Sequence, residues 1–152
     1  MKRVYRQHRG DEVHATTSLT DILDRYVRDT FEAEPVLASK LGVHDHDDAL
    51  PDVSADAFAA RERRHKDLLR DLEAVDPEQL DSYSRLDLQV GLIEAKTGIK
   101  KDELTVWQRA PYVYSGMVGD GLSSIMARDG IPLEQRGAAV RSRLAQTPSF
   151  LR

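Results

Sequence analysis

The chain of 152 residues predicts an all-α fold: an irregular domain of six or seven helices with no significant sheet. Three observations carry this reading. Apolar residues recur at helical spacing from Leu19 onward, helix-capping residues stand where those stripes begin, and the stripes are interrupted by one irregular corner, Trp107 to Gly121. A chain of this length suits one domain and can bury roughly 70% of its unfolded surface, enough for a core. Residues 1–17 read as a flexible, basic amino-terminal segment, and residues 18–152 as the helical domain.

Charge and composition exclude several classes of function. The 26 acidic and 22 basic side chains give a net charge of −4 and are mixed along the chain, so neither a nucleic acid nor a membrane surface is an expected partner. There is no cysteine, hence no disulfide, thiolate metal site or cysteine nucleophile. The opening MKRVYRQHR is basic but no apolar run follows it, and no stretch of 18 apolar residues occurs anywhere, so the chain reads as cytoplasmic.

The first helix begins at Ser18, where Ser18 and Asp21 form a capping box. Leu19, Ile22, Leu23, Tyr26, Val27 and Phe31 follow on one stripe of a 3.6-residue period. Pro35 interrupts it, and Val36 to Leu41 reads as a short second turn closed by Gly42. Next comes the loop VHDHDDALPD, in which His44 and His46 form an H-x-H pair among aspartates. The pair follows a helix end rather than a strand, and the spacing fails the calcium-loop pattern at Ala49, Leu50 and Asp56, so this reads as a solvated loop. Ser54 caps a helix to about Val75, with Phe58, His65, Leu68, Leu69 and Leu72 inward and Arg61, Arg63, Arg64, Lys66 and Arg70 outward. Glu62 and His65 have the E-x-x-H spacing of di-iron bundles, but only one copy exists. Asp76-Pro77 opens a further turn.

From Ser84 one helix carries two apolar stripes, Leu86, Val90 and Ile93 beside Leu88, Leu92, Ala95 and Ile99, with Gly91 and Gly98 allowing close approach. Such a helix expects neighbours on both sides. At the corner, Ala110-Pro111 breaks the chain, Tyr112 and Tyr114 fall on a short extended piece, and Asp120 between Gly119 and Gly121 reads as the N-cap of the next helix. GMVGDG lacks the preceding strand and the lysine of a phosphate loop, and neither G-x-S-x-G nor S-x-x-K occurs. The last helix begins near Pro132 with Leu133, Val140 and Leu144 on one side and reaches Thr147-Pro148, after which Phe150 and Leu151 restart an apolar pattern. That ending predicts a domain incomplete at its carboxy-terminal end, and so a chain that self-associates or exposes apolar surface.

The run LGVHDHDDALPDVS, the later WQRAPYVY with its GDGL, and ARDGIPLEQR followed by RLAQTPSFL together resemble the amino-terminal part of the bacterial domain-of-unknown-function 885 family. The resemblance implies a mostly helical, much longer protein similar to HExxH zinc metallopeptidases, with zinc bound in the carboxy-terminal half and a peptide-like small substrate. No HExxH occurs here among His8, His14, His44, His46 and His65, so no catalytic residue, metal ligand or cofactor is carried over. The matched positions are Trp107, Arg109, Pro111, Tyr112, Gly119, Asp120, Gly121, Pro132, Glu134 and Arg136.

Two functions are therefore expected side by side. One is a non-catalytic amino-terminal helical portion of a zinc-peptidase-like hydrolase of unknown substrate. It would wall a substrate cleft, with Arg109, Tyr112, Tyr114 and Asp120 as substrate-binding residues and the missing half or a second copy as partner. The other is a stand-alone helical interaction module without enzymatic activity. Trp107 and both tyrosines also admit a plain packing role.

Overall fold

A computed structural model describes residues 18–151, so the basic segment expected over 1–17 lies outside the described residues. Among those described, regular structure consists of seven α-helices and one 3₁₀ turn, with no strand. Helix α1 (Leu19–Ala33) starts with the full capping box: the Asp21 N–H donates to Ser18 Oγ at 3.1 Å and the Ser18 N–H to Asp21 Oδ2 at 3.3 Å. Proline occupies the first turn of α2 (Pro35–Leu41), which ends at Gly42 with φ 94°, in the left-handed region that glycine enters without strain. Ser54 Oγ accepts from the Ala57 N–H at the start of α3 (Ala55–Glu73), and a 3₁₀ turn at Pro77–Gln79 follows the Asp76 cap.

Helix α4 (Ser82–Glu103) begins earlier than Ser84 because the Asp81 carboxylate accepts the N–H groups of Tyr83 and Ser84 at 2.8 and 2.9 Å. The single-turn α5 (Val106–Arg109) follows Thr105, whose φ of 47° is the one positive value outside glycine among the described residues. Helices α6 (Tyr112–Met126) and α7 (Leu133–Phe150) complete the chain.

The corner differs from the sequence reading. Ala110-Pro111 does break the chain, but Tyr112 and Tyr114 lie in the first turn of α6 rather than on an extended piece, and Pro111 is its N-cap. Asp120 therefore sits inside α6 and caps nothing. Its carboxylate accepts from Lys40 Nζ of α2 at 2.8 Å. Gly121 is a contact glycine: a Cβ there would lie 3.1 Å from both Arg143 Nη1 and a Val36 methyl. Helix α7 also runs through Pro148, close enough to its end that the missing N–H affects one turn. Its buried side is Ala139 and Arg143, whereas Leu133 and Leu144 are exposed.

The helices form two layers. In the first, α3 packs antiparallel along α4 with α1 against both, around Leu19, Ile22, Leu68, Leu72, Leu88 and Ala95. Small residues on α4 set the spacing, since a Cβ on Gly91 would stand 2.8 Å from Leu72 and one on Gly98 2.6 Å from the His65 ring. In the second layer α6 packs on both α2 and α7. A buried polar centre holds it: Arg143, with no exposed surface, donates to Gly121 O at 2.6 Å, to Ser39 Oγ at 2.8 Å, and to Pro35 O and His46 O at 3.3 Å each. Desolvation lowers the pKa of this guanidinium, against the opposing pull of Asp47 and Asp48. Gln146 adds bonds to Asp48 O and the Leu50 N–H, so the aspartate-rich loop is stitched to α7 rather than merely solvated.

Candidate functional site

The side-chain hydrogen bonds and ion pairs among described residues lie within one layer or the other, and none spans the two. Between the layers lies a cavity of about 490 Å³, walled by α1, α3 and α4 on one side and by α5 and α6 on the other. A second cavity of about 380 Å³ adjoins it between α2, α3 and residues 49–53, and the two share Glu34, Leu37, Phe58, Arg61, Arg64 and Met117. The smaller one is lined mainly by apolar side chains, among them Val36, Leu50, Pro51 and Val53.

Helical spacing places the polar centre of the cleft. On α3, Phe58, Arg61, His65, Leu68 and Leu72 share one stripe, and on α4 Leu88, Gly91, Ala95, Gly98 and Asp102 share another. Because the helices run antiparallel, the two stripes meet and the charged ends coincide. Asp102 Oδ1 accepts from Arg61 Nε at 3.0 Å and Nη2 at 2.8 Å, while Oδ2 lies 2.6 Å from His65 Nδ1. Asp102 is buried, and these hydrogen bonds to both of its oxygens offset the cost of taking a carboxyl group out of water.

Aromatic rings bridge the layers. Phe58 of α3 stacks on Trp107 of α5 at 4.2 Å between centroids and 11° between planes, and the Arg61 guanidinium lies over the Phe58 ring, 4.7 Å from its centroid. The Tyr114 hydroxyl donates to Trp107 O at 2.7 Å, fixing α5 to α6. On the far wall the Tyr26 hydroxyl donates to Glu94 Oε1 at 3.4 Å. Burial, with the neighbouring Glu94 carboxylate, pushes its pKa up to about 12.

The four residues expected to bind substrate do not converge. Tyr114 lines the larger cavity and Asp120 the smaller, whereas Arg109 and the 73% exposed Tyr112 lie outside both. The cleft instead draws on Arg61 and Arg64, which the amphipathic reading of α3 placed outward. One signal pointed to Arg61, since it falls on the Phe58–His65–Leu72 stripe; Arg64, one residue off that stripe, carries no such mark.

The sequence profile of the bacterial protein family of unknown function DUF885 matches residues 35–152. The chain belongs to that family. DUF885 membership covers the α2 to α7 region, including both layers of the cleft except α1. No curated protein and no solved structure matches the chain.

The described residues do not fit the zinc that the family resemblance implies. No group of three or more metal-binding side chains converges among them. His44 Nδ1 is held by Asp47 at 2.8 Å with the Arg128 guanidinium 3.2 Å from Nε2, and a cation stands where a metal would have to. His65 Nδ1 is engaged by the Asp102 carboxylate, which also accepts from Arg61.

Proposed function

We propose that this chain is the non-catalytic, amino-terminal helical portion of a zinc-peptidase-like hydrolase, and that it supplies a wall of the substrate cleft rather than the reacting groups. The observation that carries the reading is the interlayer cleft. It combines stacked aromatics, charges of both signs and an apolar annex, the usual make-up of a small-molecule site. On this reading any zinc chemistry belongs to an HExxH helix of the longer family members, a motif that does not occur in this sequence.

Trp107 is the sole tryptophan and stands in the cleft wall, so its fluorescence reports occupancy directly. A panel of amino acids, short peptides and their blocked forms is expected to include compounds that shift or quench this emission saturably, while the chain alone hydrolyses none of them and takes up no stoichiometric zinc. Silence of Trp107 across the whole panel, or turnover by the chain itself, overturns the reading.

A second reading, a helical interaction module without enzymatic activity, is favoured by one feature. Leu86, Val90 and Ile93 of α4 are 57, 58 and 65% exposed along a single stripe. It predicts a silent Trp107 together with loss of self-association when that stripe is made polar.

A further inference from the structure

We infer that the cleft takes a small zwitterion with an apolar body, its ammonium and carboxylate held at the junction of the two cavities and its apolar part in the smaller one. This deepens the proposed function and rests on reading the cleft as a ligand site.

The larger cavity is faced by charges already in ion pairs and by charges that are not. Arg61 and His65 belong to Asp102. By contrast Arg64 and Lys101 have no carboxylate within 4.0 Å among the described residues, and Glu34 and Glu94 have no cation within that distance, although all four line the same cavity. Cations and anions that face one space without reaching each other leave room for a molecule bearing both charges between them, and a ligand of one sign alone would meet a repelling pair.

Arg64 and Glu34 also line the smaller cavity, whose other charged pair, Lys40 with Asp120, is closed on itself. A group anchored at Arg64 and Glu34 therefore has one direction in which an apolar substituent escapes water, toward Val36, Leu50 and Val53. Carboxylate to Arg64 gives a charge-assisted and potentially bidentate contact.

Free apolar amino acids and short apolar peptides share this chemistry, and leucine and leucyl-leucine separate the two sources. Titration of the chain with each, followed by Trp107 fluorescence and by calorimetry, is expected to show saturable one-to-one binding by at least one. The methyl ester and the N-acetyl form of the better ligand should each bind at least about tenfold more weakly, as loss of one charge-assisted contact implies. On R64M the free acid should fall to the affinity of the ester, and the ester should lose nothing further. E34Q should do the same for the N-acetyl form. Circular dichroism identifies a variant that fails to fold, in which case the ligand-side comparison on the native chain still decides. Equal binding of free and blocked forms would mean that the four charges are only a solvated rim, and the zwitterion assignment fails while the cleft stands. If no compound perturbs Trp107, both the assignment and the cleft reading fall.

Discussion

Tyr26 shows how a single side chain reports its layer. Its phenol is packed into the α1–α3–α4 wall with its ring 6.3 Å from that of His65 and its hydroxyl against Glu94. Both burial and the nearby carboxylate disfavour the phenolate, which raises its pKa from 10.0 to about 12. The folded state thus holds a proton that the unfolded state has already released between pH 10 and 12, so stability falls as pH rises through this window and is undiminished by Tyr26 below it. Thermal melts from pH 9 to 12 should show that fall, and Y26F should make it shallower by about one proton. A Y26F profile as steep as the native one would show that Tyr26 is not the group responsible. At this scale the sequence was informative where spacing alone decides. Tyr26 and His65 lie on their predicted stripes, whereas the ion pair that makes Asp102 tolerable depends on the register of two helices 41 residues apart at Arg61 and Asp102. Nothing within either helix encodes that register alone.

At the scale of elements, most caps were legible, as were Gly42, Gly91 and Gly98, whereas the Asp120 cap and the glycines of the corner were misread. Ser18, Gly42, Ser54 and Asp76 act as local chemistry requires, because a cap is settled within four residues. The glycines of WQRAPYVYSGMVGDG read as a corner, yet α6 passes straight through them. Propensity argues against helix there, and packing of Gly121 against Arg143 and Val36 overrides it. Gly116 and Gly119 face open space, and nothing in the structure explains them. Alanine is therefore expected to act with opposite signs along one helix. G116A and G119A should each raise stability by roughly 0.5 to 1 kcal/mol, the ordinary gain of alanine over glycine in a helix. G121A should lower it by about 1 to 3 kcal/mol, because the crowded atom is a buried guanidinium tied down by four acceptors and has nowhere to move. Denaturant unfolding of the three variants decides it. A stabilised G121A would mean that α7 shifts freely on α6, and the buried arginine would lose its role as the fixed centre of that layer.

For the molecule as a whole, the two apolar stripes of α4 have different fates. Leu88 and Ala95 enter the core with Leu92 and Ile99 partly buried beside them, as a central helix requires, but no described element covers the other side. Tyr83, Leu86, Val90 and Ile93 recur at intervals of three and four residues and are each more than half exposed, forming one continuous apolar ridge rather than scattered side chains. Its position on the outer face of α4, away from the α3 contact that buries Gly91 and Gly98, means that changing it need not disturb the cleft. The purified chain should therefore bind a hydrophobic dye and sediment with a concentration-dependent mass, the consequence of leaving this much apolar surface in water. L86E combined with I93K should abolish both effects, keep the helical circular dichroism and leave the melting temperature within a few degrees, because these side chains lose little burial that the isolated fold provides. If the native chain is a strict monomer without dye binding, the ridge is too narrow to matter. If instead the double variant unfolds, those residues pack more deeply than their exposure indicates, and α4 is central on both faces within this one chain.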